Sequence, residues 1–266
     1  MGSLRIAWEL QKAAIRGQLG YRANFALLAV MGVAYQGSGF AFVWTVLRQF
    51  HTIDGWSFAD IAFLYAMRLL AHAAFYLPLN QLDFLADTVR EGSFDRFLVR
   101  PLNPLLQLMT NRFQLNAVGD LLTAAAFFAV AASSADVDFS PVHVLYLVAA
   151  VIGGALAEGA FVLATSSLGF RFLQIWAVMG LVDSVYLMFG SYPIRIFGST
   201  ASWLLTWVVP VAFVAYIPSS VMLGRTSGLS LSPAVAWAAP AVGLAFFAVA
   251  YAIWFRQLRG YQSVGA

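Results

Sequence analysis

Five ionisable side chains fall inside or beside the long apolar runs of this sequence: Arg68, His72, Asp120, Glu158 and Asp183. A charge among apolar helices is costly, so it faces a bundle interior or a wet cavity and takes a partner there. Tyr65, Arg68, His72, Tyr76 and Asn80 recur at helical spacing as one polar stripe. Two chemistries suit that stripe. One is an internal ion pair of Arg68 with Asp183 or Glu158 that holds the bundle together, since an unpaired guanidinium is the costlier state. The other is a polar lining of a transport path that meets an anionic head group. Asp120, Glu158 and Asp183 in neighbouring runs are also the materials of a proton relay. No internal repeat and no matching pair of broken helices accompanies them.

Other chemistry is narrowed by what is missing. A P-loop needs G-x-x-x-x-G-K-[ST], and the single lysine, Lys12, follows Gln11, so ATP hydrolysis by that route is not expected in this chain. Cysteine is absent, which removes disulfides, thiolate metal sites and a cysteine nucleophile. His51, His72 and His143 stand alone, without the H-E-x-x-H spacing of a metal site, and no G-x-S-x-G elbow occurs. Asp83, Asp87 and Glu91 alternate with Arg90 and read as a solvated charged face, not a magnesium site of a membrane transferase. The arginines are scattered rather than interleaved with aromatics, so nucleic acid is not an expected partner.

The elements that must position these groups are set by composition. Of 266 residues, 61% are hydrophobic and 10% charged, with a mean hydropathy of +0.79; soluble domains run at roughly 45–50% and about 25%. Residues 23–47, 121–135, 139–157, 196–224 and 226–255 carry no Asp, Glu, Lys or Arg. Their apolar character is continuous rather than alternating, which fits membrane helices of about 20 residues and not barrel strands. Six spans are expected, at about 24–48, 57–79, 113–134, 142–167, 172–191 and 233–255. The fold class is thus an all-α polytopic membrane protein, a single transmembrane domain over 1–266.

Flanking segments refine the layout. No cleavable leader is expected in 1–22, where Arg5, Glu9, Lys12 and Arg16 share one helical stripe opposite Leu4, Trp8, Ile15 and Leu19; that pattern predicts an interfacial helix. Most basic residues fall on one side of the spans and only Arg48, Arg195 and Arg225 on the other, which places both termini in the cytoplasm. The run 196–224 contains Pro210 and Pro218, each of which removes a helix donor. It is expected to form two short helices, about 201–209 and 211–223, as a re-entrant hairpin (199–224) entering from outside. Trp203 and Trp207, one turn apart, suit the outer interface. The second span is expected to run past Pro78 to a stop at Gly92.

Beyond Gly92, Ser93 is the expected N-cap, Asp95 complements the positive helix end, and Pro101 ends a short helix over 93–100. Phe94, Phe97 and Leu98 form its apolar face, with Arg96 and Arg100 elsewhere. Such a helix either inserts into a groove on a partner or lies on the bilayer.

The stretch Glu91-Gly92-Ser93-Phe94-Asp95-Arg96-Phe97-Leu98-Val99-Arg100-Pro101-Leu102-Asn103-Pro104 resembles the "GxxDxxLxRPLNP" segment of type-2 ATP-binding-cassette (ABC) exporter permeases, in a branch of roughly 260-residue bacterial proteins. Tyr192-Pro193-Ile194-Arg195-Ile196-Phe197, the run from Pro210 through Tyr216-Ile217-Pro218 to Gly224, and the ending Arg259-Gly260-Tyr261-Gln262-Ser263 are similar as well. The resemblance implies a half-transporter of the bacterial cytoplasmic membrane: a homodimer, or a pair with a related permease, on two P-loop ATPase subunits that carry the Mg-ATP. It implies that residues 93–100, with Ser93, Phe94, Asp95, Arg96, Phe97, Leu98 and Arg100, couple to the ATPase. The outer hairpin, with Trp203, Trp207, Pro210, Tyr216 and Pro218, is expected to gate the exit. The expected cargo is an amphipathic or lipid-like compound, and no metal or cofactor is expected in the chain itself. The alternatives are an integral-membrane acyl- or glycosyltransferase and a proton-coupled secondary transporter.

Overall fold

The computed structural model describes residues 52–263 except 112, 113 and 173, together with isolated helical positions between 12 and 45. The interfacial helix expected over 1–22 and the span expected over 24–48 therefore lie, apart from those positions, outside the described residues. The rest is helical, and the sole extended pairing among the described residues is an isolated bridge between Ile53 and Trp56.

Helix α1 runs from Phe58 to Leu79. Its start is a capping box: the Ser57 side chain accepts from the Asp60 backbone N–H, and the Asp60 carboxylate accepts from the Ser57 N–H at 2.8 Å. Pro78 breaks the ladder near its end, and the chain continues as a 3-10 turn, Asn80–Phe84, then α2, Leu85–Arg90. At the helix end the Asn80 side chain donates to the Tyr76 and Leu77 carbonyls. Gly92 then turns with φ +69°, where a side chain would be strained, and stops the element where expected.

Next come α3 (Asp95–Leu98), α4 (Pro104–Met109), α5 (Leu115–Ser134), α6 (Pro141–Ser166) and α7 (Trp176–Phe189). The chain closes with α8 (Ser199–Trp207), α9 (Val211–Val214), α10 (Tyr216–Met222), α11 (Pro233–Trp237) and α12 (Ala239–Arg259). Four stretches are long and apolar enough to cross a bilayer: Phe58–Arg90, Asn116–Ser134, Pro141–Phe170 and Ala239–Arg259. Counting the bent pair Ser199–Trp207 and Val211–Met222 as one span makes five. Helix α7 has 14 residues where 172–191 was expected, about 21 Å at 1.5 Å per residue against a core of about 30 Å.

Small residues let the central helices approach. A Cβ on Gly153 of α6 would sit 2.4 Å from the Pro240 Cα, and one on Gly243 of α12 would sit 2.0 Å from the Gly153 carbonyl oxygen. Close backbone crossings of this kind replace the hydrophobic driving force that lipid-embedded helices lack. The buried core has two halves. One gathers Phe75, Phe94, Phe97, Phe170 and Trp254, and the other Trp56, Phe63, Tyr65, Phe213 and Tyr216.

The segment between Arg195 and Gly228 leaves one end of the bundle and returns to it. The Arg195 guanidinium donates to the Gly228 carbonyl at 2.7 Å, and Arg225 donates to the Gly55 carbonyl and to Asp60 just before and inside the first turn of α1. Between them the chain bends by 66° at the Val208–Pro210 break.

Candidate functional site

Helix α1 presents Arg68, His72, Phe75 and Tyr76 to a cavity of about 230 Å³, and its 3-10 extension adds Asp83. The other walls are Asn116 and Asp120 from α5, Glu158 from α6, and Asp183, Tyr186 and Leu187 from α7. Of the stripe expected from the sequence, Arg68, His72 and Tyr76 share this cavity with Glu158 and Asp183. Tyr65 does not line it; it is buried one turn away, its ring centroid 5.5 Å from the Arg68 guanidinium carbon.

Pairing inside the cavity differs from the expected arginine–carboxylate bridge. Glu158, 3% exposed, sits 2.6 Å from His72 Nδ1 through its Oε1. The His72 ring stacks on Tyr76, with centroids 5.8 Å apart and planes 15° apart. The Arg68 stem instead packs where Gly190 leaves room, since a Cβ there would lie 3.1 Å from Arg68 Cδ. The Arg68 Nε, the second Glu158 oxygen and the Tyr186 hydroxyl are buried without a hydrogen-bond partner among the described residues. Asp83 and Asp120 are half-buried and Asp183 is exposed, so the cavity opens along these acids. No group of three or more His, Cys, Asp and Glu among the described residues is arranged to hold a metal ion.

The sequence missed Asp83, Asn116 and Tyr186 as wall residues. Asp83 was assigned to a solvated face with Asp87 and Glu91. The available signal was its spacing of seven residues, two helical turns, from Tyr76, which puts it on the inward stripe.

The segment over 93–100 forms a second candidate surface, and its orientation corrects the expectation. Phe94 and Phe97 point into the protein, 0% and 2% exposed, while Leu98, Val99, Arg96 and Arg100 are exposed. Phe94 packs edge-on against Phe97, Phe170 and Tyr261, and Phe170 continues the cluster to Trp254. The reason is local competition: two phenyl rings bury more apolar area against their own chain than they would leave uncovered on a four-residue helix. Ser93 is not a cap, because its hydroxyl donates back to the Thr88 carbonyl. Asp95 accepts from the Tyr261 hydroxyl at 2.9 Å and from Ser263. The Gln107 side chain donates to the Phe97 and Leu102 carbonyls, and Asn103 caps α4 through Leu105 and Leu106 while donating to Tyr251.

At the opposite end, Trp203 and Trp207 are exposed on α8, while Pro210, Tyr216 and Pro218 are buried in the bent pair. Tyr216 packs 5.6 Å from Trp56, whose ring also receives the Arg225 guanidinium.

A bundle of long apolar helices around a polar cavity, with a short helix anchored below it, is the build of a membrane transport subunit. The family model described as ABC-2 family transporter protein matches residues 33–265, and the chain belongs to that family. It is a transmembrane permease of an ABC transporter, and membership implies association with an ABC ATPase subunit. No curated protein and no solved structure matches the chain.

Proposed function

We propose that the chain is the permease of an ATP-driven exporter in a bacterial cytoplasmic membrane, with both termini cytoplasmic. It moves an amphipathic or lipid-like compound outward, powered by a separate P-loop ATPase that binds the Mg-ATP. Family membership over 33–265 carries this reading. It is supported by the lack of a P-loop lysine and by the exposed patch of Leu98, Val99 and Arg100 held on a buried aromatic base. A rigid base with an exposed apolar tip is suited to receive a push from a docked ATPase and pass it through α2 into α1.

Residues 93–100 are the proposed coupling element within a single permease domain, and 199–224 the proposed outer re-entrant gate. The return of that segment to its starting end, through Arg195 and Gly228, supports re-entry over crossing. With 199–224 re-entrant and α7 a short span, the described residues supply five spans; the expected first span, at about 24–48, lies outside them. A second permease, a like copy or a related chain, completes the proposed assembly. Co-expression with a P-loop ATPase encoded beside the permease tests the function. The two should purify together and hydrolyse ATP only as a complex; a permease that never retains an ATPase contradicts the reading.

A further inference from the structure

The cavity between α1, α5, α6 and α7 carries more acid than a structural ion pair needs. Asp83, Asp120, Glu158 and Asp183 face it, against one guanidinium, Arg68, and one imidazole, His72. An internal pair would leave its members satisfied. Here the second oxygen of Glu158, the Tyr186 hydroxyl and the Arg68 Nε, all on residues at least nine-tenths buried, line the space with no partner among the described residues. A buried acceptor left open in this way costs free energy until a donor or a cation reaches it.

We infer that this cavity binds an ammonium-type organic cation, free or carried on a lipid head group, with its charge toward Glu158 and the acidic opening and its apolar part against Phe75, Tyr76 and Leu187. This rests on the exporter reading and narrows the cargo to a cationic amphiphile, in place of the anionic head group expected from Arg68. Three observations set the class. The excess of acids selects positive charge. The absence of a metal-holding cluster among the described residues selects an organic cation over a metal ion. The aromatic wall formed by Phe75 and the stacked His72–Tyr76 pair suits a cation with apolar substituents. A volume of about 230 Å³ is below the roughly 300–1,000 Å³ of pockets that enclose whole drug-sized ligands. The cavity therefore holds a compact charged head while the remainder extends through the opening. Arg68 sits among the walls as the one fixed positive charge, its stem against Gly190.

The test uses the full-length chain in nanodiscs of phosphatidylglycerol, which has no cationic head group. Radiolabelled benzyltrimethylammonium and phenylmethanesulfonate, similar in shape and opposite in charge, are measured by equilibrium dialysis. Saturable binding of the cation and none of the anion is expected. Glu158→Gln keeps a partner for His72 and should weaken cation binding about tenfold or more, the loss expected for a hydrogen bond to a charged group. Asp83→Asn, at the half-buried rim, provides a second variant if Glu158→Gln does not fold. In discs of phosphatidylethanolamine, competition by the lipid assigns the site to head groups, and unchanged affinity assigns it to a free cation. Equal or tighter binding of the anion, no saturable cation binding, or full affinity in the folded variant overturns the proposal. None of these readings involves an ATPase, so they leave the exporter assignment intact. Failure of the ATPase to co-purify strikes that assignment alone.

Discussion

The Tyr261 hydroxyl donates to Asp95 Oδ1 at 2.9 Å, binding the chain beyond α12 to the short helix α3 across 166 residues of sequence. Ser263 reaches the other oxygen of the same carboxylate, and the Tyr261 ring lies 5.6 Å from Phe94. The chain beyond the last long helix, the turn after α6 that carries Phe170, and α3 are thereby packed together at this end of the bundle.

Tyr261→Phe keeps the ring packing and removes the bond to Asp95. Stability should fall by about 1 kcal/mol, at the low end for a hydrogen bond to a charged group because Asp95 is partly solvated. The larger effect should be on transport per ATP hydrolysed. Thermal unfolding and export by the reconstituted complex separate the two; unchanged coupling in the presence of a measurable stability loss argues against a coupling role for this clamp.

Burial divides the residues of the proposed coupling element into two classes with opposite signatures. Phe94→Ala empties a fully buried site and should cost about 3–5 kcal/mol, seen as loss of folded protein. Val99, 82% exposed, can become Asp with little effect on stability, yet Val99→Asp should weaken retention of the ATPase in a pull-down. Normal retention by Val99→Asp rejects the exposed tip as the docking surface.

The His72–Glu158 pair predicts strong non-additivity. His72→Ala leaves a carboxylate buried without its partner and should cost about 3–5 kcal/mol. Adding Glu158→Leu should recover much of that loss, because the uncompensated group is gone. A double-mutant cycle on thermal stability measures this, and simple additivity shows that the pair contributes nothing.

Gly243→Val tests the central crossing. Any Cβ there meets the Gly153 carbonyl oxygen at 2.0 Å, and backbone cannot move aside as a flexible side chain can. Destabilisation above the about 1–3 kcal/mol of ordinary overpacking is expected, measured as the yield of monodisperse protein after solubilisation. Normal yield contradicts the close α6–α12 approach.

A chain without cysteine is ready for labelling. Single cysteines at Asp54 and Ser227 should react with an impermeant thiol reagent from one face of the membrane, and one at Val99 only from the other. Labelling of Ser227→Cys from the Val99 side means that 196–224 crosses the membrane.

Charge-free runs marked most of α5, α6 and α12 because burying a charge in a bilayer outweighs local preference, whereas α1, which holds Asp60 and Arg68, was read from its apolar length despite those charges. Pro210 marked the break in the later segment because a missing N–H acts locally, wherever the helix later packs, whereas α1 was expected to run on past Pro78 and instead passes into the 3-10 turn Asn80–Phe84. The rotation of each helix was less legible. Periodicity put Phe94 and Phe97 on one face of α3, but did not tell whether that face meets a partner or the chain's own Phe170 and Tyr261. The cavity was half legible: Arg68, His72 and Tyr76 share a stripe that Asp83 extends by two turns, whereas Asn116 and Tyr186 join them only through the packing of separate elements. The arginine–carboxylate pair was expected on electrostatic cost alone, and the imidazole of His72, one turn along α1 from Arg68, takes Glu158 instead.

The central claim is that this permease depends on a separate motor. Its most direct measurement is ATP hydrolysis by the purified chain in nanodiscs, alone and after addition of the co-purifying ATPase. The account predicts no hydrolysis by the chain alone, and vanadate-sensitive hydrolysis that drives export once the ATPase is bound. Sustained hydrolysis by the chain alone, or export unaffected by the ATPase and its ATP, contradicts it.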